Sequence, residues 1–344
     1  MNQPSLSHLL AGLCAAALLT ASLPATAADA PAKPAAAQAT PVAAPIATVA
    51  PKATPVRADA HNAAGYWRGV RHGDVGVTTI KGAETGVLVQ MDGEAWREVH
   101  NGPVTFWGGL LLLLTAAAIF GFHSRKGSLQ LSRPASGRKV SRFSRNERIV
   151  HNTVAGSFVL LAVGGLLLIF GKHVLMPVFG HTLVSLLMQL LKPIHNFIGL
   201  VFLAGLVVMI LMWAKDNLWA AVDAQWIRRA GGLIDRSHVP SWRFNFGEKT
   251  WFWFGVTLLG LTVAVSGLLL DFPAILEVRA KLQAANLVHG IGALAMILLS
   301  FGHIYMGTVG VAGAIDSMKT GEVDEVWAEE HHELWYRQVT GHKE

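Results

Sequence analysis

The sequence predicts an all-α membrane protein: a four-helix transmembrane bundle, one additional N-terminal transmembrane helix and a small periplasmic segment. Three observations predict it. Of 344 residues, 52% are hydrophobic and only 15% charged, a balance that suits a bilayer and not a soluble domain. Five apolar runs are each long enough to cross a hydrocarbon core of about 30 Å as a helix. Four histidines, His151, His195, His289 and His303, sit inside those runs. An ionisable residue at that depth is costly and points to function.

The chain opens with a predicted signal peptide, residues 1–27. Leu9 to Leu23 is its short apolar core and Ala25-Thr26-Ala27 its small-residue cleavage site. Residues 28–58 are nearly all Ala, Pro, Thr and Val, an extended periplasmic linker. A small periplasmic segment follows, 59–102. Within it, alternating apolar residues from Gly86 lead to Asp92-Gly93 and then Glu94-Ala95-Trp96, which predicts a hairpin.

The extra transmembrane helix is read at 103–122 and a basic cytoplasmic loop at 123–148. The bundle occupies 149–315, with apolar runs from Ile149 to Gly171, Pro193 to Ala214, Thr250 to Leu270 and Asn286 to Ile315. The uncharged stretch His173 to Leu191 reads as a re-entrant or interfacial lead-in, with a sixth span as the alternative. The tail, 316–344, reads as a solvated amphipathic helix at the membrane surface.

Charge placement gives the orientation. Arg125 to Arg148 carries eight Lys or Arg against one acid, and Lys215 to Lys249 carries six against four. The opposite loops, Lys172 to Lys192 and Asp271 to Lys281, carry two basic residues each. By the positive-inside rule the basic loops and the tail are cytoplasmic, in the inner membrane of a bacterium. The formal net charge of +6 is this topology signal, so nucleic acid is not an expected partner.

His289 and His303 lie fourteen residues apart on one uncharged run. That spacing is about 21 Å and about 3.9 turns, so both imidazoles leave one helix face near opposite leaflets. Depth pairs His195 with His289 on the periplasmic side and His151 with His303 on the cytoplasmic side. Gly156, Gly199, Gly290, Gly292, Gly302 and Gly307 flank them, which suits either a porphyrin between helices or ordinary small-residue packing. The single cysteine, Cys14, excludes C-x-x-C-H attachment and a Cys-rich iron–sulfur site. Two non-covalent haems b with bis-histidine ligation are therefore expected. Zinc fits poorly, because the set forms two distant pairs and not one tetrahedron. His173, His181, His331 and His332 have no depth-matched partner and read as interfacial.

Several segments resemble the gamma subunit of respiratory formate dehydrogenase, a membrane cytochrome b. They are Glu147-Arg148-Ile149-Val150-His151, Lys192-Pro193-Ile194-His195-Asn196-Phe197-Ile198-Gly199, Leu287-Val288-His289-Gly290 and His303-Ile304-Tyr305-Met306. The family's Asn-x-Gly-Gln/Glu motif appears as Asn245-Phe246-Gly247-Glu248, and the ending from His331-His332 to Trp335-Tyr336-Arg337 is also similar. The signal peptide and first span are similar to a longer bacterial branch of that family. The resemblance implies that His151, His195, His289 and His303 are the haem iron ligands. It also implies that Asn245, Gly247 and Glu248, with His303, bind quinone. The partners it implies are an alpha subunit with molybdopterin, oxidising formate, and a beta subunit with iron–sulfur clusters. Electrons would then cross inward to quinone on the cytoplasmic side. From the residues alone, Asn245 and Glu248 suit a helix cap equally well. Two other readings stay open: a cytochrome b serving a nickel–iron hydrogenase or a thiosulfate or polysulfide reductase, and a redox-inactive anchor or transporter.

Overall fold

The computed structural model describes residues 64, 68, 71, 72, 91–232, 239–276 and 278–341. The signal peptide, the linker and most of the segment at 59–102 lie outside the described residues. Among the described residues, five helices are long and apolar enough to cross a membrane. They are α1 (Gly93–Lys126), α2 (Arg145–Val174), α3 (Met176–Trp213), α5 (Phe246–Asp271) and α6 (Arg279–Gly310), with a short α4 (Asp223–Arg228) between the third and fourth spans.

The predicted hairpin is not formed. Met91–Val99 is α-helical and continues into the first span, so Asp92-Gly93 lies within a helix and not at a turn. Glu94 lies near the start of this helix and pairs with Arg97 one turn on. Pro103 has no N–H to donate, and the chain there takes a wider π-helical turn over His100–Val104.

Helix α2 starts at a capping box. Ser144 Oγ accepts from the Glu147 N–H at 3.4 Å, and Glu147 Oε2 accepts from the Ser144 N–H at 2.8 Å. The stretch 173–191 makes no separate sixth span but leads into the third. It bends at Gly180, whose φ of 74° is open to glycine at little cost, and otherwise runs as helix into the third span.

The last four spans form the bundle around Phe202, Leu206, Met209, Phe252, Val256 and Met296. Helix α1 seats on its side, where Gly108 faces Leu294 of α6 and Gly109 faces Phe170 of α2. Leu112, Leu294 and Ile297 close that seam.

One end of the bundle carries a folded cap. Strand β1 (Lys139–Ser141), ahead of α2, pairs antiparallel with β2 (Glu322–Asp324), which follows α6 and the single turn α7 (Asp316–Lys319). Two short helices, α8 (Glu325–His331) and α9 (Glu333–Thr340), complete the tail. They are not a solvated amphipathic helix: Val323, Trp327, Ala328, Trp335 and Tyr336 form a core of their own. The Leu334 N–H donates to the Ser241 carbonyl at 3.1 Å, tying the tail to the loop before α5. The two basic loops and the tail thus meet at one end. At the other end Lys192 faces Asp271 at 3.7 Å.

Candidate functional site

The four intramembrane histidines come together as two pairs, at two levels of the bundle. The His195 ring on α3 lies 6.2 Å from His289 on α6, centre to centre. The His151 ring on α2 lies 6.4 Å from His303, lower on α6. A direct ring-to-ring hydrogen bond would set the centres about 5 Å apart. Two imidazoles sharing one metal ion, at about 2 Å per bond, set them about 6.3 Å apart. Both pairs match the second value.

Local structure orients the rings. His289 Nδ1–H donates to the Val263 carbonyl of α5 at 3.0 Å, which leaves Nε2 with its lone pair free. Gly267, one turn further along α5, lies so close that a Cβ there would stand 3.0 Å from His289 Cε1. His195 rests against Gly164 and Gly165 of α2, and its Nδ1 is buried without a hydrogen-bond partner. Of the flanking glycines, Gly156, Gly199, Gly290, Gly302 and Gly307 have nothing within 4 Å of where a Cβ would be, whereas Gly292 packs on Val263. A planar group needs such backbone clearance between helices, so the residues fit a haem at each level.

The profile of a family described as prokaryotic cytochrome b561 matches residues 142–321, which include all four histidines. The chain belongs to the prokaryotic cytochrome b561 family. Among relatives of this cytochrome, the formate dehydrogenase cytochrome b556(fdo) subunit of Escherichia coli K12 is 31% identical over 204 residues. That match covers 58% of this chain and 93% of the relative. The nitrate-inducible formate dehydrogenase cytochrome b556(Fdn) subunit of the same strain is 24% identical over 199 residues, 56% of this chain and 88% of the relative. The formate dehydrogenase cytochrome b556 subunit of Haemophilus influenzae is 27% identical over 159 residues, 44% of this chain and 64% of the relative.

In this cytochrome the Asn245 motif forms a helix start. Asn245 Oδ1 accepts from the Glu248 N–H at 3.0 Å, and Glu248 Oε2 accepts from the Asn245 N–H at 2.9 Å, a second capping box. Arg142 donates to Glu248 Oε1 at 2.9 Å, so both carboxylate oxygens are engaged. Gly247 faces Trp226 of α4. One turn beyond Glu248, Trp251 stacks on the His303 ring at 4.8 Å and 14°. The motif therefore starts the helix that covers His303.

Two residues of the cap carry more than their sequence positions indicate. Arg142 is buried, with its guanidinium over Phe143 and Trp327 and a second bond to the Arg243 carbonyl. His332, read from sequence as interfacial, is only 1% exposed and donates from Nδ1 to the Trp242 carbonyl at 2.8 Å. Burial, with the Arg142 charge beside it, pushes its pKa down to about 3, so the ring is neutral. Its 3.8 Å approach to Glu248 is accordingly a packing contact and not an ion pair. No sequence pattern marks Arg142 or Trp251, because both are defined by contacts between distant segments.

Proposed function

We propose that this protein is the dihaem membrane cytochrome b of a formate dehydrogenase complex, embedded in a bacterial inner membrane. It receives electrons from a periplasmic iron–sulfur beta subunit, itself fed by a molybdopterin alpha subunit, and delivers them to quinone on the cytoplasmic side. The observation that carries this reading is the pair of histidine pairs, spaced 6.2 and 6.4 Å at two levels of one bundle. The relatives' names supply the donor complex. The concentration of Lys and Arg at the capped end supports a cytoplasmic cap, with the leader at residues 1–27 directing export of the N-terminal segment.

Haem held by these imidazole pairs would supply one-electron transfer. His195 and His289 hold the periplasmic group, and the Val263 carbonyl fixes the tautomer that presents Nε2 of His289. His151 and His303 hold the cytoplasmic one. Asn245, Gly247 and Glu248, with His303, bind the quinone where α5 starts. Asn245 Oδ1 is used by the cap, so its Nδ2 hydrogens are the donors toward a quinone oxygen. Glu248 is the proton carrier in this reading, and to take a proton from the cytoplasm its carboxylate must first leave Arg142. Inward electrons and cytoplasmic proton uptake together charge the membrane without a proton channel.

Purification with co-eluting partners, followed by formate addition, tests this reading. The expected result is two haems per chain, both reduced by formate and reoxidised by a quinone analogue. A pigment-free protein, or one whose haems respond to hydrogen or polysulfide and not to formate, refutes it.

A further inference from the structure

The two levels of the bundle orient their ligands differently. At the upper level the His289 ring is held by a hydrogen bond to Val263 and by the backbone of Gly267. At the lower level, among the described residues, no hydrogen bond reaches the His303 ring. It meets instead the face of Trp251, 4.8 Å away between centres and only 14° from parallel.

The indole is itself held from behind. A Cβ on Gly255, one turn along α5, would collide with Cε3 and Cζ3 at the edge of the Trp251 six-membered ring, so only glycine leaves the indole its place. The backbone over Trp251–Leu259 is π-helical, a wider turn than the α-helix it interrupts. Such single insertions change which residues face a neighbouring helix, and they recur at functional sites. Here the wide stretch begins at Trp251 itself. The layers run from the Gly255 backbone through the Trp251 indole to the His303 imidazole.

We infer that Trp251, backed by Gly255, is a positioning residue that sets the ring plane of His303 by stacking, in place of the hydrogen bond that sets His289. The inference rests on the dihaem reading. The angle between paired rings is 57° for His151 and His303 and 75° for His195 and His289, so the two levels carry different ligand geometries. A stacked arene restricts rotation of an imidazole about the iron–nitrogen bond. It also lowers the polarity around the ligand, and second-shell contacts of this kind tune potential.

The low-spin ferric paramagnetic resonance spectrum of the intact complex reads the angle between axial imidazole planes, one signal for each haem. Trp251→Ala should shift one signal and the midpoint potential of one haem, leaving the other signal and potential unchanged. Gly255→Ala should reproduce that change by displacing the indole, while Trp251→Phe, which keeps a flat ring, should restore the native signal. Native spectra and potentials in both alanine variants overturn the inference, as does an equal change at both haems. Loss of haem from Trp251→Phe overturns it too, since a stacking role survives that exchange. If the unsubstituted complex holds no haem, the dihaem reading itself fails, and the two failures are thereby separate.

Discussion

Replacing Gly267 by alanine should weaken one haem site and spare the other. The added methyl would sit 3.0 Å from His289 Cε1 and 3.3 Å from Nδ1, against an ordinary carbon contact of about 3.5–4.0 Å. The ring must therefore retreat from α5 by about 0.5–1 Å. Val263 lies on that same helix one turn earlier, so the retreat also stretches the 3.0 Å Nδ1–H to carbonyl bond to the limit of a hydrogen bond. A net hydrogen bond is worth about 1 kcal/mol, and loss of an outer-shell partner typically weakens a metal site by about 10–100-fold. The ring also moves toward His195, compressing a pair now spaced for one shared ion. Haem per polypeptide, measured by the alkaline pyridine spectrum on protein made under limiting haem, should fall from two toward one. The remaining haem should have the native spectrum of the His151–His303 level. Gly121→Ala is the control, because nothing lies within 4 Å of a Cβ there. Two haems at native affinity in Gly267→Ala would refute the argument, as would loss from the lower level.

Three other outcomes are expected. Lys249 and Asp223 form an ion pair at 2.8 Å with side chains 5% and 1% exposed, so Asp223→Ala should cost about 3–5 kcal/mol by stranding the ammonium. Thermal unfolding in detergent should show this loss, and Asp223→Asn with Lys249→Met should recover most of it, since Asn still accepts from the Ala220 N–H. Asn245→Ala should lower stability by about 1 kcal/mol through the lost cap and slow formate-to-quinone turnover strongly, with both haems still reducible by formate. Asn245→Asp keeps the capping oxygen but not the amide donor, so it should restore stability and not turnover; restored turnover would reduce Asn245 to a cap. Docking of the tail should weaken on acidification. A His332 released to water binds a proton below about 6.5, whereas in the cap, beside Arg142 and Glu248, it does so only at about 3. The docked form is therefore fully favoured above pH about 6.5 and loses ground as pH falls toward 3. Proteolysis of the tail across that range should follow this curve, and His332→Gln should flatten it.

The histidine pairing was legible because it needs only rise per residue and the alternation of span direction. The fourteen-residue spacing on α6 places two rings on one face, and each remaining histidine enters at one membrane side. The segment at Met91–Trp96 was misread for a physical reason. Asp-Gly is a turn signal only when strands flank it, and here the adjoining apolar span extends its helix backward through it. The Asn245 motif was legible as a helix start, and the resemblance added a quinone role that the cap alone does not require. Trp251 was not legible, since a tryptophan at the head of an apolar run looks like an interfacial anchor until the facing helix is known. The tail misled for a similar reason. Its aromatic residues form an amphipathic pattern at a lipid surface or a small core alike, and only the pairing of β1 with β2 decides between them.

That pairing also orders the birth of the molecule. One strand precedes the second span and its partner follows the last, so the ribosome must deliver four spans to the membrane between them. Until Glu322 to Asp324 emerges, Lys139 to Ser141 has no partner, and Arg142 has no Trp327 ring to lie on. Closure of the cap therefore waits until all four of those spans have been made. A polypeptide cut short anywhere in the bundle leaves a bare arginine-rich loop at the membrane face, a surface on which quality-control proteases can act.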